Sequence, residues 1–368
     1  MATSPNASTY IRFSENNDTA NSIDRVFASA WSNSTNDLGT SHFSSSTQYV
    51  TNTPTSSGAF YMDIYHQNPH TNPTTAEVQY SIAYGSLTGK GGMNFNDDAG
   101  AENITSTKAI YSQYRSIVFG GNETQNFSFN GHTPDGIYII NVNRARYKNA
   151  LRMGNLALVL TGSAQHISAA SSSQFDKIHL TDDSVTTSGS VNAIRAGAGR
   201  EFNLVSGSNG IRLGDSNTFV DASGSYGFVY PDAGLIILNA DALDATGSSG
   251  GINLNTGVGA DTAETNPKLL KKEIIGGGSF ILDSQEDISS KYYFCRVFNK
   301  EFNYTTNDSF TKTDGTLSFD SMIDNPQTYI TTIGLYNDNQ DLLAVAKLSQ
   351  PLPKDFTKEA LIKVKLDY

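Results

Sequence analysis

Apolar positions in this chain come in short runs at a period of two, separated by stretches of Ser, Thr, Asn and Gly, and that spacing predicts strands joined by turns. The clearest pattern covers residues 328–368. Tyr329, Thr331, Ile333 and Leu335 fall on one face of an extended segment, with Ile330, Thr332 and Tyr336 on the other. Asn337-Asp338-Asn339-Gln340 reads as a turn, because such residues tolerate left-handed backbone and bond their own main chain. Residues 342–348 then form the second arm of a hairpin. The final segment alternates again, with Ile362, Val364, Leu366 and Tyr368 on one side and Lys363, Lys365 and Asp367 on the other. A terminus held in a strand is tied down, and this one either completes its own sheet or crosses to another subunit.

The same reading gives strands at 60–65, 78–84, 136–143 and 156–160, a series of short ones at 177–180, 202–205, 218–220, 227–230 and 235–238, and more at 274–281 and 292–302. Residues 107–119 are mixed. Ile110, Tyr114 and Ile117 have helical spacing, the residue types also suit a strand, and Gly120-Gly121 stops the element either way. Residues 23–31 are expected to make a couple of helical turns with Ile23, Val26, Phe27 and Ala30 on one side. The fold class expected is mainly β, with two or three sandwich- or barrel-like units and few short helices. The expected domains are a polar N-terminal arm (1–58), a β-rich domain (59–161), a turn-rich β domain ending in a linker (162–265), and a C-terminal β domain (266–368).

Composition narrows the function classes. Hydrophobic residues are 38% and charged residues 17% of the chain, with 10% aromatics, which suits a turn-rich β protein rather than a disordered chain. A net charge of −11 argues against nonspecific nucleic-acid binding, which needs clustered Lys and Arg. No apolar run approaches the roughly 20 residues that span a bilayer, and the first residues lack the basic and apolar regions of a signal peptide, so synthesis in a cytoplasm and no membrane partner are expected. The single cysteine, Cys295, rules out an internal disulfide and a multi-thiolate metal site, and beside Tyr292-Tyr293-Phe294 it reads as a small buried hydrophobe.

Catalytic signals are weak. His66 and His70 are close, but Pro69 breaks any regular helix across them. No nucleophile elbow, zinc-protease helix or phosphate loop occurs. Gly197-Ala198-Gly199-Arg200 and Gly276-Gly277-Gly278 read as turns. Asp97-Asp98 and Asp182-Asp183 read as solvated loop pairs, with cation binding or glycoside hydrolysis as the sharper alternatives. No catalytic, cofactor-binding or metal-ligating residue is assigned, and no cofactor is expected. The candidates are interface residues. Trp31, the only tryptophan, is an anchor buried either in this chain or in a partner. Arg144, Arg146, Tyr147 and Arg152, with Lys148, concentrate positive charge in an acidic chain, and read as a docking patch or a solvated strand end. Lys363, Lys365 and Tyr368 mark the terminal strand.

The segment beginning YYFCRVFNKEFNYTTNDSF at Tyr292, with PQTYITTIGLY at 326–336 and the stretch 342–352, resembles virion proteins of contractile-tailed bacteriophages, in particular those of large myoviruses infecting cyanobacteria and other marine bacteria. A weaker likeness runs through FYMDIYHQNP, EVQYSIAYG and GIYIINVNRARYKNAL. The resemblance implies a structural role in the tail baseplate or its fibre-attachment region, without catalysis. It implies other tail and baseplate proteins as partners in ring-symmetric copies, and a place in the virion after synthesis in the host. A neck or collar protein joining head and tail is the alternative within assembly proteins. A receptor- or glycan-binding module using the loop at 226–232, or an entry hydrolase, would be a different class.

Overall fold

The computed structural model describes residues 11, 13–32, 44–45, 61–69, 71–91, 105–121, 124–162, 177–212, 219–220, 224–246, 250–257, 265–275, 279–303 and 309–368. The chain is mainly β with few short helices, as the period-two pattern implies. It divides into a larger unit, Val26–Glu286, and a smaller one made of Met1–Arg25 and Asp287–Tyr368. In chain order the principal strands are β1 (Thr19–Ser29), β2 (Tyr61–Tyr65), β3 (Val78–Ser86), β4 (Gly136–Val142), β5 (Ala157–Thr161), β6 (Lys177–Asp182), β7 (Gly199–Ser208), β8 (Gly227–Tyr230), β9 (Leu235–Asn239), β10 (Ser279–Ile281), β11 (Asp283–Val297), β12 (Thr328–Tyr336), β13 (Leu342–Lys354) and β14 (Ala360–Asp367). The helices used below are α1 (Ser106–Phe119), α2 (Ala240–Asp244) and α3 (Thr265–Ile275).

The larger unit is organised on one curled antiparallel sheet of order β10-β5-β6-β7-β8-β9-β4-β3-β2, ending on Ser44–Ser45. Its centre explains its sequence. In β4, Tyr138, Ile140 and Val142 enter one core and Ile137 and Ile139 the other, so both faces are covered and the strand is an almost unbroken apolar run. Helix α1 covers the second face through Ile110, Tyr111 and Val118. Thr105 caps it by accepting the Lys108 N–H at 3.3 Å, and Gly120 closes it at φ +66°, which settles the mixed reading of 107–119 as helix. A Cβ on Gly85 of β3 would lie 2.9 Å from the Tyr111 backbone nitrogen, so glycine lets the helix approach the sheet.

Three expectations change here. Residues 265–275 form α3, where a strand from 274 was expected; Leu270 and Ile274, four apart, lie buried on the first core, and Ser279–Ile281 is extended. Residues 23–31 lie largely in β1 and are not helical. Backbone pairing along β11 (Phe294 N–H to Asp18 O at 2.8 Å, Ala30 N–H to Leu282 O at 3.0 Å) outweighs their weak helical spacing. The sheet also interleaves strands from 59–161 and 162–265 and takes β10 from beyond 265, so the fold does not divide at 161 or 265. Most of the expected N-terminal arm, and parts of the linker expected at the end of the 162–265 domain, lie outside the described residues.

In the smaller unit, β14 pairs with β11 in an unbroken antiparallel register from Ser290↔Asp367 to Val297↔Ala360, and β12 pairs with β13 as a separate hairpin. The hairpin core residue Leu335 meets Cys295 and Val364, flanked by half-buried Tyr293, Ile333, Ala344, Ala346, Ile362 and Leu366. The turn forms as predicted, with Gln340 at φ +68° and the Asn337 side chain accepting the Asp341 N–H at 2.7 Å. The strict alternation does not survive. A bulge between Ile330 and Thr332 shifts the face, so Tyr329 is 61% exposed while Ile333 and Leu335 turn inward. Strand β13 also runs on to Lys354, whose buried Nζ donates to Asn299 O, Asn303 Oδ1 and Asp355 O at 2.8–3.0 Å.

Candidate assembly surfaces

Trp31 is an internal anchor. It is 2% exposed, its indole packs against Phe280 and Tyr80 with ring centroids 4.9 and 5.7 Å away, and Nε1 donates to Phe280 O at 2.8 Å. A tryptophan needs a partner for its N–H when buried, and a β10 carbonyl supplies it. Of the two readings of Trp31, burial in its own chain is the one observed.

The basic segment is used mostly inward as well. Arg144–Arg146 form a short 3-10 turn after β4, started by the Asn143 side chain accepting the Ala145 N–H at 2.9 Å. Arg146 reaches back to the Glu77 carboxylate at 2.8 Å and to the Ser32 hydroxyl, tying the turn to the start of β3. The Ser32 hydroxyl, and after it the Arg146 charge, hold the Glu77 carboxyl below its ordinary value. Tyr147 is 6% exposed within the first core, and burial raises its phenol. Arg144 remains at the surface, laid over the Tyr147 ring at 4.6 Å and donating to Tyr147 O at 2.6 Å. Arg152 pairs with Asp283 at 3.0 Å and lies 4.1 Å over Phe27. The cluster thus pins loops of its own unit and leaves Arg144 and Lys148 facing solvent.

The acidic pair at 182–183 is buried rather than solvated. Asp182 ends β6 and accepts the Gly154 and Ser184 N–H groups at 2.9–3.1 Å. Asp183 accepts the Asn203 N–H at 3.1 Å and its side-chain amide at 2.8 Å, while burial pushes its carboxyl up. Asp182 thus ties two turns, and Asp183 ties the end of β6 to strand β7. The tyrosines at 226–232 are interior too: Tyr226 donates to Gly250 O at 2.8 Å and Tyr230 to buried Glu201 at 2.9 Å, leaving no exposed aromatic platform there. Asp97-Asp98, His70 and Gly276–Gly278 lie outside the described residues. Among the described residues no group of three or more His, Cys, Asp or Glu is placed to hold a metal ion, and no helix is long and apolar enough to cross a membrane.

Exposure concentrates in the smaller unit. Lys363 and Lys365 point outward from β14, as their alternation predicts, and Tyr368 is 78% exposed. The Lys363 ammonium sits 3.8 Å over the Tyr292 ring, and Lys365 bridges Asp24 and Asp367 at 3.2 and 3.1 Å. Ile323, Leu343, Val345 and Leu361 are exposed, while among the described residues of this unit the buried apolar side chains are Cys295, Val297, Leu335 and Val364. Sequence alternation found the lysines. It could not find the apolar exposure, because an alternating strand in a thin sandwich has no second layer on its outer face.

Comparison with protein-family models, curated proteins and solved structures finds no match for this chain.

Proposed function

We propose that the chain is a structural component of a phage virion, part of the contractile-tail baseplate or its fibre-attachment region, acting through protein–protein assembly. The observation that supports this most is the imbalance of the smaller unit. Among its described residues the buried apolar side chains are few (Cys295, Val297, Leu335 and Val364), while large apolar groups such as Ile323, Leu343, Val345 and Leu361 face outward. Several large apolar side chains left exposed on a small, thinly packed unit fit a part that neighbours cover in its working state. The virion setting rests on the resemblance carried by the segment from Tyr292 onward, which contains this exposed surface. In this reading the larger unit is the rigid body, and the smaller one makes contact. In this reading the chain is non-catalytic, and the buried pair Asp182 and Asp183 serves structure by accepting backbone N–H groups and the Asn203 amide.

The test is localisation in intact particles by subtomogram averaging with a tagged chain. A ring-symmetric set of copies at the tail tip is the expected result. A head-proximal ring would replace the baseplate reading with the neck or collar, and absence from the particle would end the virion reading. Purified protein is expected to leave host polysaccharide uncleaved; turnover abolished by Asp182→Asn would overturn the non-catalytic assignment.

A further inference from the structure

The hydrogen-bond register of β14 identifies which of its backbone groups are unused. Ser289 and Tyr368 exchange both of their backbone hydrogen bonds, at 2.9 and 3.2 Å, so theirs is a bonded pair. Bonded and non-bonded pairs alternate along an antiparallel ladder, and the register below this pair is unbroken. Residues 360, 362, 364 and 366 therefore bond toward β11. Leu361, Lys363, Lys365 and Asp367 aim their N–H and C=O groups at the opposite edge. The far side of β11 agrees: Phe294, opposite Lys363, gives its N–H to Asp18 O at 2.8 Å on the other flank. No strand among the described residues pairs with that outer edge of β14.

The other strands of the smaller unit's hairpin are poorer templates. Strand β13 carries Pro351 and Pro353, which lack the donor a ladder needs, and β12 is interrupted by its bulge. Strand β14 has neither defect. Its flanking chemistry specifies what would fit. On one face the edge presents Lys363, which makes no ion pair among the described residues, and beside it Lys365, which bridges Asp24 and Asp367. On the other face lie Ile362, Val364 and Leu366. A strand laid on this edge would set acidic side chains against the lysines and apolar ones beside the isoleucine, valine and leucine. A second copy of β14 is a poorer match than an acidic strand. Every antiparallel register with three or more opposed edge residues sets a lysine against a lysine: 363 against 363, 363 against 365, or 365 against 365. In a chain of net charge −11, attraction for an acidic segment is confined to such a local cationic row.

We propose that the free edge of β14 accepts, by strand addition, an extended segment of another protein that alternates acidic and apolar residues. This rests on the assembly reading given above and names the contact it uses. The probe is a capped synthetic peptide of about nine residues, the length of an ordinary strand, alternating valine and glutamate, titrated into the full chain. It is expected to bind at least roughly tenfold tighter than the same peptide with lysine for glutamate. Lys363→Pro removes the outward N–H and the ammonium over Tyr292 while sparing the ladder to β11, so binding should fall at least roughly tenfold with only a small drop in thermal midpoint, whereas Val364→Pro breaks the ladder itself. Should Lys363→Pro fail to fold, Lys363→Glu keeps the donor and is expected to reverse the preference between the two peptides. No binding of the glutamate peptide, equal binding of both, or undiminished binding by the folded Lys363→Pro chain would each overturn the proposal. Self-association of the wild-type chain that Lys363→Pro abolishes would overturn it in favour of a second copy. If the peptide fails while the chain is found in tail-tip rings, the edge is wrong and the assembly reading stands; if the peptide binds but the chain is absent from particles, the reverse holds.

Discussion

Trp31 and Asp183 show how much single residues commit to the interior. Replacing Trp31 by alanine removes a buried indole and orphans the Phe280 carbonyl, and about 3–5 kcal/mol of stability should be lost in urea unfolding. A loss below about 1 kcal/mol would contradict its burial, since surface changes fall in that range. Asp183 makes a pH prediction with a definite sign. Burial raises its carboxyl, so between the ordinary carboxylate value and the raised one the native state binds a proton that the unfolded chain releases. Its contribution to stability therefore grows as the pH falls through that window and is absent above it. Asp183→Asn should remove this slope. The stability difference, wild type minus variant, should rise on going from pH about 7 to about 4. A flat difference would count against the buried carboxyl.

At the scale of elements, the terminal hairpin is organised by its bulge. Because the face changes between Ile330 and Thr332, the core contact falls on Leu335 and, half-buried, on Ile333. Leu335→Asp would place a carboxylate among Cys295 and Val364 and cost about 3 kcal/mol or more. Hydrogen exchange should then accelerate across β12 to β14, and Ile333→Asp should act in the same direction more weakly. Tyr329→Asp, on the outward side of the bulge, should leave exchange unchanged; equal damage from it would mean that the alternation is unbroken. The loop before β14 gives an acid-range check. The Thr357 hydroxyl, then Lys358 and the Thr357 N–H, hold the Asp355 carboxyl down to about 2. That interaction is fully present above the ordinary carboxylate range and is lost only as the pH falls through about 2. An NMR titration of the Asp355 carboxyl midpoint near 4, its unperturbed value, would remove the basis for this cap.

For the whole molecule, the contrast between the units is the functional statement. The larger unit buries aromatic and aliphatic residues on both faces of its sheet; the smaller buries few apolar side chains among its described residues and exposes apolar and cationic strand surface. Removing the outward apolar groups Leu343 and Val345 together, by serine substitution, should leave the smaller unit folded and reduce incorporation into particles. If the double variant assembles as well as wild type, that face is not a contact.

The sequence by itself determined the strand period, the turn at 337–340, the stop at Gly120 and the mainly β class, because these depend on sterics and side-chain placement over a few adjacent residues. It also placed Lys363 and Lys365 on one face. Only the tertiary structure shows that 23–29 belong to a strand, that Arg146 and Arg152 are held by carboxylates 69 and 131 residues away, and that Asp182 and Asp183 are buried. It likewise decided which edge of β14 is open. Such features depend on which distant segments pair, and that choice minimises the free energy of the whole chain rather than of any local stretch.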